Sequence, residues 1–164
     1  MSDIRVFLSE DAESYSLKAG ALFTQGYNCS QAVLLAFSDE LGLSQSTAAA
    51  LSSSFGGGMG RLREVCGAVS GMFMVIGLCF GYTTPDCQSA KAEHYKRIQE
   101  LASQFKCENG SIVCRELLFL NQSGASDPTP ELRTKEYYKK RPCRELVEFA
   151  ALITAQYIIN NTEK

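Results

Sequence analysis

No Cys-x-x-Cys pair occurs in the 164 residues, although the chain holds seven cysteines. That absence excludes a thioredoxin-type dithiol motif and a zinc ribbon. Histidine is almost missing as well. His94 is the single one, set among Glu93, Tyr95, Lys96 and Arg97 on a polar stretch, and it reads as a solvated residue. With it set aside, neither a Cys–His pair nor a Ser–His–Asp triad has a base. There is no excess of positive charge: sixteen Lys and Arg stand against eighteen acids, for a net charge of −2. Phosphate binding needs a basic face, so the balance argues against nucleic acid as a partner. The start, Met1-Ser2-Asp3-Ile4-Arg5, has neither the basic opening nor the apolar core of a secretory leader. The expected location is the cytoplasm, where thiols are kept reduced. Seven cysteines there read as reactive or metal-binding thiols rather than as a disulfide scaffold.

The composition is that of an ordinary globular chain, 45 % apolar, and its length suits one domain with a sizeable core. No run alternates apolar and polar with period two, so no sheet is expected. The predicted fold is an all-α, single-domain bundle of about six to eight helices over residues 1–164, with ligands able to meet in its interior. A helix capped by Ser9 should run to Gln25 and stop at Gly26. Asn28 should cap a second from Cys29 to about Leu41, with Gly42 as its left-handed stop. Ser44 opens a third, ending near Ser53. A fourth is predicted from about Arg63 to Phe80. Thr84-Pro85-Asp86 reads as the start of a long polar helix reaching about Lys106, ended by Asn109-Gly110. Ser111 to Leu120 and Glu131 to Lys140 should be shorter helices. Pro142 should start the last one, reaching about Asn160.

One segment requires a membrane test. From Val65 to Pro85 there is no charged residue, and Gly67-x-x-x-Gly71 resembles a helix-packing pattern of membrane spans. Its Gly, Ser and Thr content, its closing Pro85 and its amphipathic neighbours favour a buried central helix of a soluble bundle.

Four cysteines share a position. Cys29, Cys114 and Cys143 each fall in the first turn of an expected helix, and Cys66 opens the uncharged segment. In each case positions i+3 and i+4 are apolar or small, so all four should face inward. A helix N-terminus stabilises a thiolate, and the thiolate is both the nucleophile and the metal ligand. A buried cysteine is otherwise simply a small hydrophobe. Cys79, late in its helix, reads as inert core; Cys87 precedes a polar face and Cys107 lies near the surface. Of the four, Cys66 is the expected reactive thiolate, with Arg61 and Arg63 within a turn. Cys-Arg-Glu-Leu-apolar occurs twice, at Cys114–Leu118 and Cys143–Val147.

The run Phe55-Gly56-Gly57-Gly58-Met59-Gly60 cannot be regular structure. It lacks Gly-Lys-Ser/Thr, and arginine stands where a dinucleotide loop needs its third glycine, so it is no phosphate loop. Glycines there let the chain pass close to a helix or a bound group. Gly58, Gly60, Arg61 and Gly67 are the candidates for such contacts.

From Gly26 to Ile159 the sequence resembles the four-cysteine family labelled C-GCAxxG-C-C, whose members are described as redox-active. The resemblance rests on Gly26-Tyr27-Asn28-Cys29-Ser30-Gln31-Ala32, on Cys66-Gly67-Ala68-Val69-Ser70-Gly71 after the glycine run, on Gly110-Ser111-Ile112-Val113-Cys114-Arg115-Glu116-Leu117, and on Cys143. It implies that Cys29, Cys66, Cys114 and Cys143 act together. Three readings stay open. The four could carry thiol–disulfide or electron-transfer chemistry, with a redox partner protein. They could together ligate a metal centre, an iron–sulfur cluster or zinc, as a four-cysteine set. The chain could also be a non-catalytic helical module that binds a partner. Self-association into a homo-oligomer is left open.

Overall fold

The computed structural model describes Leu8, residues 11–121 and residues 124–162. Among them every regular element is helical: α1 (Ala12–Thr24), α2 (Cys29–Ala36), α3 (Gln45–Ser52), an irregular turn α4 (Gly56–Met59), α5 (Gly67–Phe80), α6 (Gln88–Asn109), α7 (Cys114–Leu117), α8 (Lys135–Lys140) and α9 (Cys143–Thr162). The only β-type pairing among them is one antiparallel bridge, Val65 to Val113.

Local chemistry sets these boundaries. Asp11 caps α1, accepting from the Ser14 N–H at 2.9 Å; the expected cap, Ser9, lies outside the described residues. Asn28 accepts from the Gln31 N–H while the Gln31 side chain accepts from the Asn28 N–H, a reciprocal capping box that fixes the start of α2 at Cys29. Ser44 and Thr134 cap α3 and α8 with their hydroxyls. Gly110, at φ +86°, closes α6.

Several helices are shorter than the sequence suggests. α2 stops at Ala36 rather than Leu41, because the Ser38 N–H and hydroxyl both bond the Leu35 carbonyl and tighten the chain into a turn. α5 starts at Gly67 rather than Arg63, since Arg63 is left-handed at φ +62° and Val65 is held extended by its bridge. That bridge also delays α7 to Cys114. α6 starts at Gln88, so Thr84-Pro85-Asp86 precedes the helix rather than opening it, and α8 starts at Lys135, after the Thr134 cap.

The core lies where α9 packs on α1, α2 and α5, and where α2 packs on α1 and α5. Val33, Leu34, Phe37, Val69, Met72, Ile76, Val147 and Ile158 are fully buried there. Each such side chain contributes about 1.5–3 kcal/mol of transfer free energy. α5 is the buried central helix that its apolar sequence calls for. A Cβ on Gly71 would come within 2.8 Å of the Ser30 carbonyl and 2.9 Å of the Val33 Cβ, so the two glycines of Gly67-x-x-x-Gly71 let α2 and α5 touch backbone to backbone. No helix of the described residues is long and apolar enough to cross a membrane.

Candidate functional site

The four helix starts converge. Cys29 is the first residue of α2, Cys66 the N-cap of α5, Cys114 the first residue of α7 and Cys143 the first residue of α9. All four line one cavity of about 280 Å³. Cys66, Cys114 and Cys143 are buried, Cys29 half-buried, and all four are free thiols. Cys87 and Cys107 are exposed and do not line the cavity, and neither does the half-buried Cys79. His94 is also remote. It is half-buried rather than solvated, its ring edge-on to Tyr82 at 5.9 Å.

Two backbone devices position the sulfurs. The first is the bridge between residues 63–66 and 112–115. The Cys66 N–H donates to the Ile112 carbonyl at 2.8 Å and the Cys114 N–H to the Glu64 carbonyl at 2.6 Å, which ties two cysteines distant in sequence to one ribbon. The second is the glycine run. Gly57, Gly58, Met59, Gly60 and Arg61 all have φ between +61° and +68°, five consecutive left-handed residues. Each non-glycine in that region costs about 1–2 kcal/mol, and backbone strain of this kind collects at functional segments. Gly58 is required twice over, by its φ of +68° and by space: a Cβ there would lie 2.5 Å from the Cys114 Cβ. A Cβ on Gly67 would lie 3.1 Å from the Cys29 Cβ. Gly58, Gly60, Arg61 and Gly67, the positions expected to meet a bound group, all line the cavity.

The left-handed turn directs Arg63 inward. It is only 4 % exposed. Its Nε donates to the Ser126 hydroxyl at 2.8 Å and its Nη1 points to the Cys114 sulfur at 3.8 Å. Arg61 instead donates from Nε to the Asp127 carbonyl at 2.5 Å. Two more arginines complete the wall. Arg133 donates to the Phe23 and Tyr27 carbonyls at 3.4 and 3.3 Å and lies over the Phe23 and Tyr137 rings at 4.5 and 4.8 Å. Arg141 pairs with Glu131 and lies over Tyr137 at 5.0 Å.

These surroundings separate the thiols. The Cys29 and Cys143 thiols are coupled across the cavity; the neighbouring Cys29 thiol lowers Cys143 from its ordinary value, and Arg141, Arg133 and Arg63 lower it further, against burial. The same coupling raises Cys29 well above its ordinary value, reinforced by burial. Burial pushes Cys66 up to about 12, although the Ala68 and Val69 N–H groups at the start of α5 act the other way. Cys114 is raised by burial in spite of Arg63 beside it. The expectation that Cys66 holds the thiolate is therefore corrected: Arg63 turns to Cys114, Arg61 to Asp127, and the helix terminus alone does not offset desolvation. Of the four, only Cys143 has its ionisation favoured by its surroundings. Cys79, expected inert, is pushed up to about 12 by burial.

Arg133 and Arg141 escape a reading of sequence alone. Arg141-Pro142-Cys143 places one cation next to the fourth cysteine, and that proximity was a legible signal. Arg133 carries none, since it reaches the site only because the 124–134 loop folds back over α1. As for a metal, among the described residues no three His, Cys, Asp or Glu side chains are gathered as the ligands of one ion.

Comparison with known proteins found no match among curated proteins or solved structures. Residues 27–157, which include all four cavity cysteines, match the family described as "Putative redox-active protein (C_GCAxxG_C_C)", and the chain belongs to that family.

Proposed function

We propose that the chain is a thiol–disulfide redox protein in which Cys143 is the attacking thiolate and Cys29 the resolving thiol. The observation that carries this reading is the meeting of Cys29 and Cys143 in one cavity that Arg63, Arg133 and Arg141 also line, with Cys143 lowered by all of them. Two coupled thiols share one proton, and the arginines decide which sulfur keeps the negative charge.

The chemistry follows from those positions. The Cys143 thiolate attacks one sulfur of a substrate disulfide. A Cys143–substrate disulfide forms, the substrate S–S bond breaks, and one substrate thiolate leaves. With its partner's charge gone, Cys29 no longer stabilises a neighbouring thiolate and gives up its proton more readily, to the departing thiolate. The Cys29 sulfur then attacks Cys143. The Cys29–Cys143 disulfide forms and the second substrate thiol leaves. Two electrons have moved from the protein dithiol to the substrate, and an external dithiol reverses the exchange. Cys66 and Cys114, held as neutral thiols, take no part in the first attack.

The test is to mix the reduced protein with a small symmetric disulfide and map the products by mass spectrometry. The expected outcome is a Cys29–Cys143 disulfide in the wild type and a trapped mixed disulfide on Cys143 in Cys29→Ser. A trapped adduct on Cys66 or Cys114 instead would overturn the assignment.

A further inference from the structure

Charge around the cavity is out of balance with the rest of the chain. Four arginines line it, Arg61, Arg63, Arg133 and Arg141, and Glu131 is the single carboxylate among the lining residues, in a chain whose net charge is −2. Arg141 is neutralised by Glu131, and Arg61 lies near Asp127. Among the described residues, no carboxylate pairs with Arg63 or Arg133. Arg63 is nine-tenths buried and its side-chain partners are a serine hydroxyl and a cysteine sulfur. Buried charges in proteins are ordinarily paired, because a lone guanidinium removed from water is costly. A single negative charge on Cys143 balances only half of the charge on these two cations, and the remainder is open to a ligand that both can reach.

We infer that the cavity binds a small carboxylate- or oxyanion-bearing disulfide, its anionic group held by Arg63 and Arg133 and its sulfur presented to Cys143. The inference rests on the thiol–disulfide reading and names the substrate class for it. Size supports a small molecule: a cavity of about 280 Å³ lies at the low end of small-ligand sites. Access comes from the exposed rim at Ser53, Gly60, Pro128, Pro130 and Glu131. The arrangement also favours the reaction. When Cys143 attacks, its negative charge departs with the leaving thiolate, and Arg63 and Arg133 then face the substrate's anionic group alone. The hold begins to tighten as the charge moves off Cys143 in the transition state, which is where binding favours turnover.

The test compares two alkylating reagents of the same reactive carbon, anionic iodoacetate and neutral iodoacetamide, on the reduced full-length protein. Exposed Cys107 in the same molecule is the internal reference. The iodoacetate-to-iodoacetamide rate ratio at Cys143 is expected to exceed that at Cys107 by about tenfold or more, as charge-assisted bonds to arginine imply. The iodoacetate rate should saturate, and sodium sulfate should slow it beyond sodium chloride at equal ionic strength. Arg133→Gln should bring the ratio back toward that of Cys107; using the ratio cancels any change in how much Cys143 is ionised. Equal ratios at Cys143 and Cys107, with no effect of sulfate, would overturn the anion site while leaving the thiolate assignment intact. If Cys143 reacted with neither reagent, the thiolate assignment would fail. The anion site would then stand or fall on whether sulfate raises the unfolding temperature saturably in the wild type and not in Arg133→Gln.

Discussion

The sequence Cys-Arg-Glu-Leu-apolar opens two helices in this protein, and the two copies end in opposite chemistry. At Cys114 it makes a four-residue helix; at Cys143 it starts one of 20 residues. In both, the leucine three positions on is buried, Leu117 and Leu146. The polar residues go different ways. Arg115 pairs across the bridge with Glu64 at 3.2 Å, whereas Arg144 pairs within its own helix with Glu148 at 2.8 Å. Neither arginine of the repeat serves its own cysteine. Cys114 has Arg63 beside it and a weaker influence from Arg141, and burial wins. Cys143 has the Cys29 thiol, its sequence neighbour Arg141, and Arg133 and Arg63 brought from elsewhere, and stabilisation wins. Motif identity set the helix start and the inward direction; the opposite pKa directions came from what the fold placed around each sulfur.

The sharpest way to break this comparison is to remove one sulfur at a time. Cys143→Ser is expected to abolish exchange with a small disulfide, a loss of about a hundredfold or more, since no other cavity thiol is a stabilised thiolate. Cys114→Ser should keep the rate within about threefold, an effect well under 1 kcal/mol. Stopped-flow measurement of thiol release reads both, and equal losses would erase the distinction between the copies.

Next in size is Gly58→Ala. It forces a left-handed alanine at about 1–2 kcal/mol and drives a Cβ to 2.5 Å from that of Cys114, so urea unfolding should show a loss of roughly 2–4 kcal/mol. A loss below 1 kcal/mol would mean that the turn does not press on Cys114.

The third test uses pH. Cys143 is lowered in the fold, so its share of stability is present above the ordinary thiol value and is lost as pH falls through its folded value. Cys66 is raised to about 12, so its share is present below the ordinary value near 8.5 and is lost as pH rises toward 12. The reduced protein should therefore lose stability above about pH 8.5, at up to roughly 1.4 kcal/mol per unit for each raised thiol. Replacing Cys66 by Ala should flatten that limb, as urea midpoints at pH 8 and 10 would show. The smallest expected effect concerns the arginines of the repeat. Arg115→Ala and Arg144→Ala each remove a surface ion pair and should cost about 0.5 kcal/mol or less, with exchange rates unchanged; a large rate loss in Arg144→Ala alone would return reactivity to the motif itself.

How much was legible before the fold was known can be judged at particular residues. Asn28, Ser44 and Gly110 marked their boundaries correctly, because caps and left-handed stops depend on neighbours within a few positions. The inward placement of the four cysteines was legible for the same reason, from apolar residues three and four positions on. The starts of α5 and α7 were misplaced because the Val65–Val113 bridge joins segments 48 residues apart in sequence, and no local signal records it. The choice of Cys66 as the thiolate failed similarly: Arg61 and Arg63 are close in sequence, but their left-handed turn points them to Asp127 and Cys114.

By itself, then, the sequence determined an all-helical chain, a buried α5 and four cysteines at helix starts, since helical periodicity and capping act within a turn or two. Only the tertiary structure decided which sulfur is pushed toward ionisation and which are pushed away from it. Ionisation of a buried thiol depends on desolvation and on charges within a few ångströms, and at Cys143 all but Arg141, its neighbour in sequence, come from Cys29, Arg63 and Arg133, which only the fold brings to one wall.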